Sequence, residues 1–129
     1  KAEHYIREAL TINPGLPQAH SSLGIILKHR GLLEESLKEH KLAADLRPNN
    51  PDYHLNLGNA YARMKQFDRA IDEFKTCIRL FEKPGYYDAL GFTYIQIGQT
   101  AHARQAWERA LALDPFYEQA RKRLKQYIP

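Results

Sequence analysis

Apolar residues recur along this chain at spacings of three and four, the pattern of amphipathic helices. The clearest example is residues 51–78, where apolar positions alternate with polar ones over two helical stretches. Asn50-Pro51 is a typical helix start, because asparagine caps an N-terminus and proline suits the first turn. Gly31 and Gly98 stand where one helix would end and the next would begin. The pattern predicts an all-α chain of helix pairs joined by tight turns.

The same arrangement occurs three times, with periods of 34 and then 33 residues. The matching columns are Leu23-Gly24, Leu27, Ser36, His40 and Ala43; Leu57-Gly58, Tyr61, Ala70, Phe74 and Cys77; and Leu90-Gly91, Tyr94, Ala103, Trp107 and Ala110. Pro48 and Asp114-Pro115 close two of the units. Self-similarity at this period is typical of a solenoid, in which each unit contacts only its neighbours.

The order of Leu-Gly, aromatic, alanine, aromatic and proline resembles the tetratricopeptide repeat (TPR) family. The resemblance implies a right-handed α-solenoid of antiparallel helix pairs, the TPR superhelix. It divides the chain into residues 1–16 (the second helix of a truncated repeat), three repeats at 17–50, 51–83 and 84–117, and a C-terminal capping helix at 118–129. It also implies a non-catalytic module that binds other proteins.

Three details of the units carry structural expectations. We expect the glycines of the Leu-Gly pairs, such as Gly58, to lie where two helices cross closely, with Phe74 and Trp107 filling wider gaps between units. Lys65 takes the place of the turn glycines, so its turn is expected to be strained or differently wound. The middle unit is one residue short and ends in residues 81–83, which predicts an irregular junction.

Composition argues against several classes of function. The net charge of +4 is too small to indicate nucleic-acid binding, and the basic cluster at 121–125 lacks interleaved aromatic residues for base stacking. No apolar run approaches the roughly 18 residues of a membrane span. The single cysteine excludes an internal disulfide and favours a cytoplasmic location. The chain begins inside a helical pattern, so we expect it to be part of a longer protein.

Candidate chemistry in the sequence is sparse. The six histidines form no metal-ligand spacing such as HExxH. His20 and His54 occupy equivalent positions, and His40 replaces an aromatic residue, so packing roles are expected for all three. Cys77 falls in a column of alanines and has no neighbouring base in the sequence. We therefore expect no catalytic residue, no metal, no cofactor and no enzymatic activity.

The resemblance places the partner in a concave groove lined by the first helices of the repeats. The predicted partner-binding residues are Ile25, Lys28, Leu55, Asn56, Asn59, Arg63, Phe92, Ile95 and Arg123. The four apolar members are not required by the repeat skeleton. They form either a binding strip or a packing surface against the neighbouring first helix. Their polar neighbours would satisfy the backbone and the acidic groups of a ligand.

Chaperone-binding relatives hold a C-terminal carboxylate with a clamp of lysines, asparagines and an arginine. Here only Asn56 matches in one frame, and only Asn59 and Arg123 match in the other, so the clamp is absent. The leading hypothesis is a module that binds a peptide or a partner protein in its groove. The alternatives are a self-assembling scaffold, with a homo-oligomer formed through the exposed N-terminal helix, and the substrate-selecting arm of a larger enzyme.

Overall fold

The computed structural model describes all of residues 1–129 and consists of eight helices without a strand. The helices are α1 (Ala2–Ile12), α2 (Pro17–His29), α3 (Leu33–Leu46), α4 (Pro51–Arg63), α5 (Phe67–Leu80), α6 (Pro84–Gln96), α7 (Thr100–Leu113) and α8 (Glu118–Tyr127). Each helix packs against its neighbours in the chain, and α6 also contacts α8. The predicted all-α solenoid of helix pairs is confirmed.

Proline opens the first helix of each full pair. Pro17, Pro51 and Pro84 are the first residues of α2, α4 and α6. A missing N–H costs nothing at this position, because the first turn of a helix leaves its N–H groups unpaired. The start of α4 is also capped, since the Asn50 side chain accepts a hydrogen bond of 2.9 Å from the backbone N–H of Asp52. These residues fix where each first helix begins.

The turn inside each pair uses a residue with positive φ. The φ angle is 79° at Gly31, 61° at Lys65 and 76° at Gly98. After each of them, the next residue donates a backbone hydrogen bond of 2.9 Å to a carbonyl five residues back. The turn at Lys65 is therefore wound like the others. It is strained, because the left-handed region costs a residue with a side chain about 1–2 kcal/mol.

The core of each pair is a ring of the second helix lying over a glycine of the first. A Cβ added to Gly58 would lie 2.6 Å from Cε1 of Phe74, and Gly91 faces the ring of Trp107 in the same way. Both rings are fully buried. The expectation that Phe74 and Trp107 fill gaps between units needs correction: each ring fills a gap within its own pair, and Trp107 also stacks on Tyr127 of α8. Glycine is required because the ring of its own pair occupies the space of a side chain.

The two ends of the solenoid differ. No residue of α1 is buried, whereas Ala120 of α8 is completely buried. Tyr127 of α8 stacks on Trp107, with ring centroids 5.9 Å apart. The link between α5 and α6 contains only residues 81–83, one residue fewer than the links at 47–50 and 114–117. None of the helices combines the length and the apolar content needed to cross a membrane.

Candidate functional site

The first helices α2, α4 and α6 and the terminal helix α8 carry two adjoining clefts, which we call the inner groove. The smaller cleft, of about 60 Å³, is bounded by α2, α3 and α4. The larger cleft, of about 470 Å³, extends from α4 across α6 to Arg123 on α8. Asn59 and Arg63 line both clefts, so the two adjoin along α4.

The smaller cleft is polar and positively charged. Lys28 and Arg63 line it together with Asn59, and no acidic residue does. These three side chains form no ion pair or side-chain hydrogen bond with the rest of the protein. Asn56, also in the cleft, donates a hydrogen bond of 3.1 Å to Oγ of Ser21. The cleft therefore presents two unpaired cations and a free amide.

His40 forms part of the wall of the smaller cleft. Its side chain is only 4% exposed, yet its buried Nδ1 has no hydrogen-bond partner. Burial and then the positive charge of Lys28 lower its pKa to about 4, against an opposing effect of Glu39. A Cβ on Gly24 would lie 2.7 Å from Nε2, so the ring takes the place that Phe74 and Trp107 take in the other pairs.

The larger cleft has apolar walls and one anchored cation. Ala62, Ala89 and Phe92 supply apolar surface. The Nε of Arg123 donates a hydrogen bond of 3.3 Å to Oδ1 of Asp88, and its guanidinium carbon lies 4.4 Å from the centroid of the Phe92 ring. A cation over an aromatic face is favourable. The guanidinium of Arg123 is therefore held inside the protein, unlike that of Arg63.

The structure brings together most of the predicted partner-binding residues. Those that line the inner groove are Ile25, Lys28, Asn56, Asn59, Arg63, Phe92 and Arg123. Leu55 and Ile95 do not line either cleft; both are half-buried and pack against the hydrophobic core. Ile25 is the most open apolar member, with 40% of its surface exposed. The groove is thus less apolar than the sequence suggested.

Sequence reasoning missed the contribution of the second helices to this site. Ser36 and His40 of α3 line the smaller cleft. The Oγ of Ser36 donates to the carbonyl of Gly24 at 2.6 Å, whereas His40 has no such partner. A usable signal was present, because the columns that hold Ser36 and His40 hold Ala70 and Phe74 in the next unit. Polar residues in two apolar columns indicate a polar cleft beside them.

His20 and His54 lie outside the groove and join successive pairs. The Nδ1 of His20 lies 2.7 Å from Glu39, and its Nε2 lies 2.6 Å from the carbonyl oxygen of Pro14. His54 makes the same contacts with Glu73 and the Pro48 carbonyl, both at 2.7 Å. Because every partner is an acceptor, an imidazolium ring would donate to both. We call each arrangement a histidine clasp.

Cys77 lies apart from the inner groove, in the contact between α4 and α5. The thiol of Cys77 is buried and donates to the carbonyl of Pro51 at 3.3 Å. Burial and the nearby Glu73 raise its pKa to about 12. Since the thiolate is the nucleophile, this cysteine is unreactive. No group of three or more His, Cys, Asp or Glu side chains is arranged to hold a metal ion.

Comparison with known proteins shows what the chain is similar to. Stress-induced-phosphoprotein 1 of Caenorhabditis elegans is 28% identical over 119 residues, which are 91% of this chain and 37% of that protein. The crystal structure of MamA superposes with a TM-score of 0.84 at 22% identity, covering 92% of this chain and 70% of that one. The first TPR of Spaghetti (RPAP3), bound to an HSP90 peptide, superposes with a TM-score of 0.79 at 22% identity over 86% and 89% of the chains. This chain spans little more than a third of the curated relative.

Family models match most of the sequence. The model described as TPR repeat matches residues 26–65. The model described as Tetratricopeptide repeat matches residues 51–84 and 84–117, which together are more than half of the chain. The matched segments contain the Leu-Gly columns and the rings that lie over the glycines. The chain therefore belongs to the tetratricopeptide repeat family, whose members are generally non-catalytic interaction modules.

Proposed function

We propose that this domain is a protein-interaction module that holds an extended segment of a partner protein in the inner groove. The observation that carries the proposal is that the two clefts of the inner groove adjoin along α4. Asn59 and Arg63 belong to both clefts, so one ligand can contact α2, α4 and α6 together. Free donors on these helices would bind the backbone and the acidic groups of the segment. Apolar surface at Ile25 and Phe92 would bind its side chains.

The comparisons support a groove-bound ligand of this kind. Spaghetti (RPAP3), whose first TPR has a similar fold, is bound to an HSP90 peptide. The ligand of the present domain is expected to be held differently, because the positions of the carboxylate clamp hold Ser21, Ile25, Gly85 and Ala89. The partner is therefore proposed to be a protein segment other than a clamped chaperone C-terminus. The proposal places the module in the cytoplasm, where a single buried thiol such as Cys77 stays reduced.

The test is selection of peptides from a random library displayed on phage, using the wild-type domain as the target. Selected peptides are then measured against two variants. Ile25→Glu changes the groove, and Leu42→Glu changes a side chain of equal exposure on α3, 40% against 39%. Loss of binding only with Ile25→Glu supports the groove. Equal loss with both variants, or no selected peptide, contradicts the proposal.

Self-association through α1 is the second candidate. This helix has no buried residue, and its Tyr5 and Ile12 are 69% and 85% exposed. A second copy of the chain could cover this face. Sedimentation velocity over a wide concentration range would then show a dimer that the Ile12→Lys variant does not form. A monomer at every concentration would remove this candidate.

A further inference from the structure

Two cationic side chains and no acidic one line the smaller cleft. Five of the 19 lysines and arginines of the chain pair with acidic side chains. Lys28 and Arg63 pair with none, although both line a cleft of about 60 Å³. A cavity of this volume accommodates about two waters, or one carboxylate group. The cleft thus has room for a single anionic group beside two cationic side chains.

His40 gives a second, independent indication that a polar ligand belongs there. Only 4% of its surface is exposed, and it lines the cleft. The buried Nδ1 of its ring has no hydrogen-bond partner in the protein. Buried polar side chains normally have partners, and an unpartnered one is costly. Burial and, to a smaller extent, the positive charge of Lys28 lower the pKa of His40, so the ring that borders the cleft is neutral. Lys28 and Arg63, with no acidic residue beside them, favour a negatively charged ligand in the cleft.

The neighbours of the cleft decide which anion fits. Ile25, Asn59 and Phe92 occupy the same column of three successive first helices. The column consequently places Ile25 on the α2 side of the cationic cleft, Asn59 on its α4 side, and Phe92 in the adjoining larger cleft. A chain terminus would end at the cleft and leave one of the apolar positions empty. An acidic side chain inside a continuous segment would use all three.

We propose that Lys28, Arg63 and Asn59 bind the side-chain carboxylate of a glutamate or aspartate that lies between two apolar residues of the bound segment. This inference rests on the proposed function and makes its ligand specific. Side-by-side helices are about 10 Å apart, and a segment in the polyproline II conformation rises about 3.1 Å per residue and returns every third side chain to the same side. The acidic residue is therefore expected three residues from each apolar one. Charge-assisted hydrogen bonds from a guanidinium and an ammonium would hold the carboxylate.

The test uses two capped peptides that differ by one group. The first is acetyl-Leu-Ser-Thr-Glu-Thr-Ser-Leu-amide, and its twin carries glutamine in place of glutamate. A third peptide has the glutamine and a free C-terminal carboxylate. Isothermal titration calorimetry at low salt measures each against the wild-type domain. We expect the glutamate peptide to bind about tenfold more tightly than the glutamine twin, the effect of one charge-assisted contact.

Two double variants with the same change in net charge locate the contact. In Lys28→Gln/Arg63→Gln the preference for glutamate should disappear, and in Lys38→Gln/Arg104→Gln, on α3 and α7, it should remain tenfold. Circular dichroism verifies that both are folded. Equal affinity of the twins for the wild type, or equal loss in both variants, would overturn the inference. So would tight binding of the third peptide, which would assign the cleft to a chain terminus.

The inference and the proposed function can fail separately. If the twins bind equally well and Ile25→Glu weakens both, the groove is the binding site and the carboxylate assignment is wrong. If neither twin binds the wild type, the inference is overturned. The proposed function is overturned only if the phage library also yields no peptide that depends on Ile25.

Discussion

Replacing His40 by phenylalanine tests whether this histidine is buried as a neutral ring. In the unfolded chain the imidazole takes up a proton as the pH falls below about 6.5. In the folded domain, burial lowers the pKa of His40 to about 4, so the ring stays neutral down to that pH. The neutral ring thus stabilises the folded state fully above pH 6.5. That contribution is lost as the pH falls from 6.5 towards 4.

The magnitude follows from the size of the pKa shift. Each pKa unit corresponds to about 1.4 kcal/mol, and the window between pH 7 and pH 5 contains about 1.5 units of the shift. The full effect would be about 2 kcal/mol. Because the cleft beside the ring admits some water, we expect about 1–2 kcal/mol. Phenylalanine cannot bind a proton, so this part of the pH dependence is absent from the variant.

The assay is urea unfolding of both proteins at pH 7, 6 and 5, followed by circular dichroism. The other histidines are common to both chains, so the difference in unfolding free energy between the proteins isolates His40. As the pH falls from 7 to 5, the wild type should lose about 1–2 kcal/mol more unfolding free energy than His40→Phe does. Any constant cost of fitting a larger ring cancels. A difference that does not change with pH would refute the assignment of a buried neutral imidazole.

Three further substitutions or reactions test the scaffold. Lys65→Gly should raise the free energy of unfolding by about 1 kcal/mol in urea titrations, because glycine adopts the positive φ without strain. The control Lys75→Gly, in the exposed interior of a helix, should lower it by about 1 kcal/mol. Equal effects of these two changes would contradict the strain. Gly58→Leu should cost about 1–3 kcal/mol, because the new side chain must displace the ring of Phe74. If the Gly58→Leu variant unfolds at the same temperature as the wild type, the close contact between Gly58 and Phe74 is not important for stability. Cys77 should react with iodoacetamide only in denaturant, as followed by mass spectrometry, and rapid modification of the folded domain would contradict its burial.

The scaffold could be predicted from the sequence because its determinants are local or strictly periodic. Pro51 and Gly31 act through the backbone of their own turn, and the glycine column recurs every 33 or 34 residues. The contacts of the Arg123 side chain with α6 could not be predicted in this way. Its position on Phe92 and Asp88 depends on how α8 packs against α6, a contact across 35 residues of sequence.

The sequence predicted which columns face the inner groove, but not which of their side chains are exposed and which pack against the core. Leu55 and Ile95 occupy columns that the resemblance assigns to the groove, yet both pack against the core. The choice between packing and exposure depends on how closely neighbouring first helices approach, which no single column records. The binding role of the groove residues remains a prediction. The clasps were more accessible, because His20–Glu39 and His54–Glu73 have the same separation of 19 residues.

The histidine clasps have a consequence for the elasticity of the whole superhelix. Each ring connects a first helix, a second helix and the turn that precedes the pair, so a single side chain braces the joint between two pairs. At the next position of the column Tyr87 donates to Glu82 instead, and Arg121 then donates to the carbonyl of Pro115 at 2.7 Å. We therefore expect the stiffness of the two clasped joints to depend on a histidine that lies apart from the rings over the glycines. Bending of this solenoid is a property that can be adjusted joint by joint while the core stays unchanged.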